Sequence, residues 1–210
     1  MRFATNRTSE NNIMKDNFVY RYGDNLYVNL TNRCCNDCTF CIRNNGDGIG
    51  DSGCLWLDRE PTAEECIDRI KAAGDYSELV FCGYGEPTYR MDEMIKIADF
   101  AHACGKVTRL NTNGLGNLIN GDDIVPRLAR AIDVISVSLN ADNADDYDKV
   151  CRSIYGTDAF GAMLDFTREC VKQGANTVMS VVAVDGVNVN KCREIAASVG
   201  AHLRVREYIA

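Results

Sequence analysis

Four cysteines fall within eight residues in the run Thr31-Asn32-Arg33-Cys34-Cys35-Asn36-Asp37-Cys38-Thr39-Phe40-Cys41-Ile42-Arg43. Packing alone does not call for so many thiols on one short segment. Taken as Cys34-x3-Cys38-x2-Cys41, the segment offers three thiolates. Three thiolates hold three irons of a [4Fe–4S] cluster and leave the fourth iron open to an outside ligand. An open iron lets a cluster act on a small molecule rather than only pass electrons. Two other readings share these residues. Cys35-x2-Cys38-x2-Cys41 also fits a ferredoxin-type electron-transfer run, but the position of the expected fourth ligand is Asn45, with no Cys-Pro after it. A structural zinc with four thiolate ligands is the third reading, although paired CxxC knuckles come from two separate turns and the chain has no second one.

Such a loop needs a rigid element to carry it. Strands are expected at Leu26–Thr31, Leu79–Gly83, Val107–Thr112, Asp133–Leu139, Thr177–Ala183 and Leu203–Tyr208. Between them lie helical patterns. Thr62-Ala63-Glu64-Glu65 is a capping box opening a helix that runs to Ala73 and stops at Gly74. Further helices are expected over Met91–Cys104, Asp122–Ala131, Phe160–Gln173 and Val189–Val199, several with a glycine stop. Alternation of this kind implies right-handed crossovers and a parallel sheet. The expected fold is α/β, an open, partial (β/α)6 barrel with a parallel six-stranded sheet over residues 25–210, preceded by a flexible N-terminal arm over 1–24. A doubly wound, flavodoxin-like sheet is the alternative. Side-chain alternation favours a lumen. Ser136, Ser138 and Asn140 share one face, as do Arg109, Asn111 and Asn113, whereas a strand covered by helices on both sides reads as continuously apolar. The cysteine loop then sits at the C-terminal end of the first strand, where active sites of parallel βα folds lie.

The composition narrows the partners. At 210 residues the chain is long enough for one domain. It contains no long apolar run and no signal-peptide core, which points to the cytoplasm and away from the membrane. Eleven cysteines, an odd number spread through helices and strands, oppose a disulfide framework and fit a reducing compartment. A net charge of −7 speaks against a nucleic-acid polymer and for a small-molecule substrate.

Further motifs stand at the other strand tips. Phe81-Cys82-Gly83-Tyr84-Gly85-Glu86-Pro87-Thr88 follows the second expected strand, with two glycines that permit close backbone approach and an acceptor in Glu86. Asn111-Thr112-Asn113-Gly114 ends the third, where Asn-Gly is also an ordinary turn signal. Ser138 and Asn140 stand at the tip of the fourth, with helix capping near Ala144 as their plain alternative, and Ser180 and Val182 lie on the fifth. The other cysteines read as small buried hydrophobes, and His102 as structural.

With Phe40 before its last cysteine, the loop resembles the signature of the radical SAM enzymes. In that family the open iron binds S-adenosylmethionine (SAM), whose reductive cleavage yields a 5′-deoxyadenosyl radical. The resemblance makes Cys34, Cys38 and Cys41 the metal ligands and catalytic cysteines, and [4Fe–4S] and SAM the cofactors. It implies that Phe40, Gly83, Gly85, Glu86, Pro87, Asn113, Ser138, Asn140, Ser180 and Val182 contact SAM, with Glu86 near its amino group and Ser180 and Val182 near the adenine. Tyr84 departs from the family's Gly-Gly-Glu-Pro.

From Leu26 to Tyr208 the chain is similar in detail to the TatD-associated radical SAM proteins, through Leu55-Trp56-Leu57, Ser136-Val137-Ser138-Leu139-Asn140-Ala141 and Arg204-Val205-Arg206-Glu207-Tyr208. Queuine lyases, which release the deazapurine preQ1 from queuine in queuosine salvage, lie within or near that group. The resemblance thus implies a lyase acting on a modified purine-like base, with a donor such as flavodoxin or ferredoxin supplying the electron. Asn111, Asn113, Arg206 and Glu207 would read the base, with Tyr84 or Trp56 as a stacking wall. The glycine-rich segment from Asn44 to Gly53 would be a closing loop. Alternatives on the same scaffold are a 7-carboxy-deazaguanine-synthase-like or glycyl-radical-activase-like enzyme. Outside enzymes, the alternative is a structural zinc or electron-transfer module.

Overall fold

The computed structural model describes residues 16–183 and 187–207. Six strands run parallel: β2 (Asn25–Val28), β3 (Glu78–Phe81), β4 (Val107–Thr112), β5 (Val134–Ser138), β6 (Asn176–Ala183) and β7 (His202–Glu207). Their order in the sheet follows the order in the chain without reversal. A doubly wound sheet reverses its strand order at a switch point, so the partial (β/α)6 barrel is the architecture. Its two edge strands do not pair with each other, and the barrel stays open.

Among the described residues seven helices connect the strands: α1 (Ala63–Ala72), α2 (Met91–Ala103), α3 (Gly116–Asn120), α4 (Val125–Ala131), α5 (Ala144–Cys151), α6 (Asp158–Lys172) and α7 (Val189–Ser198). They cover one face of the sheet. Leu26, Val28, Leu79, Phe81, Leu110, Ile135, Val137, Met179 and Val181 point to that face and are buried with Met94, Ile97, Met163 and Phe166 in one continuous core. Each such side chain stabilises the fold by about 1.5–3 kcal/mol of transfer free energy. The opposite face carries the polar alternation expected of a lumen. Arg109 and Asn111 are half-buried there, between the buried Thr108, Leu110 and Thr112. Among the described residues no helix is long and apolar enough to cross a membrane.

The N-terminal arm is corrected in part. Residues 1–15 lie outside the described residues, but Val19–Tyr22 form a seventh strand, β1, antiparallel to β2. Phe18 is 1% exposed, with the Arg59 and Arg69 guanidiniums 5.1 and 4.3 Å from its ring centroid. Phe18 and Tyr20 alternate with more exposed neighbours, the period-two pattern of a half-buried strand, and that pattern outweighs the polar composition upstream. The expected end of the last strand at Tyr208 also falls outside the described residues. The helix expected from Asp122 starts at Val125 instead, because Asp122 and Asp123 are spent on the preceding turn, where Asp123 Oδ1 accepts the Val125 N–H at 3.1 Å.

Candidate functional site

The cysteine loop leaves the C-terminal end of β2 and is clamped from behind by the end of α5. Asp37 N–H donates to Cys151 O at 3.0 Å, Thr39 N–H to Val150 O at 2.9 Å, and Ile154 N–H to Cys35 O at 2.9 Å. These bonds fix the loop backbone independently of anything its thiols hold. Cys34, Cys38 and Cys41 are half-buried, whereas Cys35 is 1% exposed and accepts a hydrogen bond from Asn113 Nδ2 at 3.2 Å. Cys35 therefore belongs to the packing between the loop and β4. Burial, and then the nearby Glu86, push the Cys34 thiol up to about 12. A hydrogen bond with Cys151, followed by burial, raises Cys38 above the ordinary thiol range. Cys41 Sγ accepts from Arg43 Nε at 3.4 Å, and the Arg43 guanidinium lies 5.9 Å from the Trp56 ring centroid. Among the described residues no three His, Cys, Asp or Glu side chains close around a single ion position, as the ligands of one structural zinc do.

The second and third motifs brace this loop. A Cβ on Gly85 would stand 2.3 Å from Thr31 O and 2.5 Å from Arg33 O, so only glycine lets the β3 tip lie against the backbone before Cys34. Gly83 is pressed in the same way onto Asn29, whose Oδ1 would be 2.1 Å from a Cβ. Glu86, 3% exposed, is almost fully engaged inside the protein. Its Oε1 accepts from Thr88 N at 3.2 Å, Thr88 Oγ1 at 2.8 Å and Thr112 Oγ1 at 2.7 Å, and its Oε2 from Asn113 N at 2.8 Å. Burial raises the Glu86 pKa, and these donors work against that shift. Only Oε2 keeps spare acceptor capacity for a ligand. Asn113 is likewise occupied, since its Oδ1 accepts from Leu115 N at 2.9 Å. Pro87 opens a short 3-10 turn over Pro87–Arg90, and Phe40 is half-buried against the main core.

On the fourth strand the capping alternative fails. The cap of α5 is Asn143, whose side chain accepts from Asp146 N at 2.9 Å. Ser138 and Asn140 are thus free of that duty. Asn140 is 5% exposed, holds a positive φ of 59°, and its Oδ1 is a buried acceptor without a donor. A buried, unpaired carbonyl costs about 1–3 kcal/mol, which a hydroxyl or amine of a ligand would recover. Ser138 pairs with Ser180 across β5 and β6, and Val182 with Arg206 across β6 and β7, so all four share the concave face. Glu207 is paired with Ala183 on the opposite face, and the register does not bring it to Arg206's side.

Deeper in the lumen, Asn111 is half-buried on β4, in register with Ser136. Arg206, paired with Val182, lies on the same face and is exposed on the edge strand β7, where the adjoining protein, with Arg204 beside it, lowers its pKa from the guanidinium range. Among the described residues neither Arg204 nor Arg206 has a carboxylate partner. The lumen carboxylate Glu78 is neutralised by Arg109 through two bonds of 3.0 and 2.7 Å. Tyr20, Leu55 and Tyr84 form a separate small apolar cluster at the open edge, joined by Tyr27, Ile42 and Ile49. Tyr84 meets Trp56 edge-on at 4.9 Å, and its hydroxyl donates to Gly46 O at 2.9 Å. The segment Asn44–Gly53, expected as a closing loop, is pinned there and folded on itself, for Leu55 N–H also donates to Asp47 O at 2.6 Å.

Several participants gave little signal in the sequence. Arg43 is only two residues past Cys41, a spacing with no fixed meaning. Cys151 and Tyr147 look like ordinary helix core. Tyr20 lay in a stretch read as an arm.

Residues 28–199 match the family profile described as the Radical SAM superfamily. No curated protein matches the chain. Among solved structures, a radical SAM methyltransferase from Sphaerobacter thermophilus is 20% identical, with 90% of this chain and 57% of that one covered at a TM-score of 0.63. SuiB from Streptococcus suis, bound to precursor peptide SuiA, is 15% identical over 92% of this chain and 41% of its own, at 0.68. Native anSMEcpe with bound AdoMet is 16% identical over 87% and 50%, at 0.65. The present chain thus spans about half the length of these proteins, and the likeness shows the shared fold.

Proposed function

The chain belongs to the radical SAM superfamily, a membership that brings a [4Fe–4S] cluster and SAM as cofactors, and from that premise we propose a lyase acting on a modified 7-deazaguanine base. When bound and reduced, the cluster and SAM supply a 5′-deoxyadenosyl radical that removes a hydrogen atom from the substrate. In this reading Cys34, Cys38 and Cys41 hold the cluster, each releasing its thiol proton as it binds iron. Support comes from the donor set: three partly accessible thiols on a loop whose backbone is already clamped, with Cys35 turned away to Asn113. Asn140 Oδ1, the Ser138 hydroxyl, Ser180 and Val182 hold SAM on the concave face. The orphaned Asn140 acceptor is the observation that fits a ligand hydroxyl or amine there. Glu86 contributes through Oε2 and mainly keeps the Gly83–Pro87 turn in place.

The specific substrate we propose is queuine, released as preQ1, with a flavodoxin or ferredoxin as the electron donor and the reducing cytoplasm as the setting. The observation that carries this reading is that Asn111 and Arg206 share the concave face, with the Tyr20, Tyr27 and Tyr84 rings clustered at its open edge. An amide and a guanidinium at the edge of an aromatic wall suit a flat heterocycle bearing a carbonyl and amino groups. One observation favours a second reading. Arg204 and Arg206, side by side on one face of β7 and without a carboxylate partner among the described residues, would also receive a carboxylate, as a 7-carboxy-deazaguanine-synthase-like reaction requires.

Anaerobic reconstitution with iron and sulfide, followed by SAM and dithionite with and without queuine, tests both. Mass spectrometry should find 5′-deoxyadenosine and preQ1 rising together, and both lost in Cys38→Ala. 5′-Deoxyadenosine without preQ1 would keep the enzyme class and discard queuine. Zinc without acid-labile sulfide would sink the enzyme reading itself.

A further inference from the structure

One cation is fastened across the cysteine loop. Arg43 stands on the single 3-10 turn Ile42–Asn44, two residues past Cys41, and its side chain turns back onto the loop. Its Nε donates to Cys41 Sγ at 3.4 Å and its Nη2 to Asn36 O at 3.3 Å. Asn36 lies between Cys34 and Cys38, so one guanidinium ties the first half of the motif to its last thiol. The Trp56 ring backs it, with its centroid 5.9 Å from the guanidinium carbon, inside the range of a cation–π contact. Trp56 is itself held from both sides. Its neighbours Leu55 and Leu57 are buried. Asn29 Nδ2 donates to Leu55 O at 2.7 Å, and Asn32 bonds both backbone groups of Leu57, at 2.8 and 3.1 Å. The arginine at the other end of the motif is engaged elsewhere. Arg33, beside Cys34, bonds Glu60 at 2.7 and 3.1 Å and lies over the Tyr89 ring. Arg43 thus brings its charge to a motif sulfur, and Arg33 does not.

We propose that Arg43 is a positioning residue for the cluster, holding the Cys41 sulfur and setting a permanent positive charge beside it that eases one-electron reduction. The proposal rests on the assignment of Cys41 as a cluster ligand. A guanidinium stays charged and only donates, so its bond to the sulfur does not depend on the state of that sulfur. One-electron reduction adds a negative charge close to this cation, and opposite charges attract more strongly where protein replaces water. Net charge and hydrogen bonds at the ligating sulfurs set the potential of an iron–sulfur centre. The Arg43 contact therefore favours the reduced form and raises the reduction potential that the electron donor must meet.

The test is a redox titration of the reconstituted full chain, followed by EPR, with iron and sulfide measured on each sample. Arg43→Met removes the charge and the donors but keeps an apolar stem against Trp56, and Arg43→Lys keeps the charge. Arg33→Met removes an arginine next to a motif cysteine whose guanidinium is bound elsewhere. The expected result is a more negative midpoint in Arg43→Met, most of that shift recovered in Arg43→Lys, and Arg33→Met close to wild type. Iron lost from Arg43→Met but retained in Arg43→Lys would bear the proposal out by a second route. A midpoint in Arg43→Met equal to or above that of wild type would overturn it. So would an equal shift in Arg33→Met, which would make the effect one of overall charge, or loss of iron from Arg43→Met and Arg43→Lys alike, which would assign Arg43 to the fold of the loop. A wild-type protein that assembles no cluster would instead overturn the ligand assignment beneath it.

Discussion

Glu86 accepts the backbone N–H of Asn113 at 2.8 Å, and through that bond the turn after β3 is tied to the turn after β4. The same carboxylate takes the Thr112 hydroxyl from one side and Thr88 from the other. Two of the site's loops are thus one unit, and the cysteine loop joins it through Glu86 N–H on Arg33 O at 2.8 Å. Glu86→Gln replaces one oxygen by an amine that faces donors. A loss of about 1–3 kcal/mol in stability is expected by urea denaturation, together with weaker SAM binding by calorimetry.

Gly85 has no room for a side chain, because its Cβ would meet Thr31 O at 2.3 Å. Gly85→Ala should cost about 1–3 kcal/mol through overpacking and lower the iron retained after reconstitution. Gly161, on the exposed side of α6, has nothing within 4 Å of a Cβ. There the same substitution should stabilise by about 0.5–1 kcal/mol. Equal effects at the two sites would contradict the packing argument.

Arg206 is expected to hold substrate, not the cluster or SAM. Arg206→Met should leave 5′-deoxyadenosine formation without substrate unchanged and raise the substrate KM about tenfold or more, the worth of a lost charge-assisted hydrogen bond. A loss of 5′-deoxyadenosine formation itself would move Arg206 to the SAM site.

The capping box of α1 makes a pH prediction. Arg59 and the Thr62 backbone N–H lower the Glu65 carboxyl from 4.5 to about 2. A depressed carboxylate contributes stability above its unfolded pKa and loses it as pH falls through the folded one. Thermal melts of wild type and Glu65→Gln should therefore differ at neutral pH and converge as pH drops towards 2. A constant difference would show that the carboxylate charge is not the source.

Much of the molecule was legible in the chain because its rules are local. The Cys34–Cys41 spacing, the Thr62–Glu65 box and the stops at Gly74, Gly105, Gly174 and Gly200 act over a few residues, and all four glycines take the positive φ expected of a stop. The strand β4 kept its expected bounds because a period-two pattern needs no distant partner. What tertiary structure alone decided lies at long separations. Asn36 meets Tyr147 across 111 residues, and Phe18 packs under Arg59 and Arg69. Such contacts leave no local trace, and the short alternation of Phe18 and Tyr20 was lost in the polar composition upstream, so β1 passed for an arm. Asn143 displaced Ser138 and Asn140 as the helix cap, because α5 begins at the expected Ala144 and the residue directly before it takes that place. Residue types and short spacings set the chemistry the chain carries. The pairing of the strands decided which of those groups face one another, since that depends on register and packing between segments far apart in the sequence.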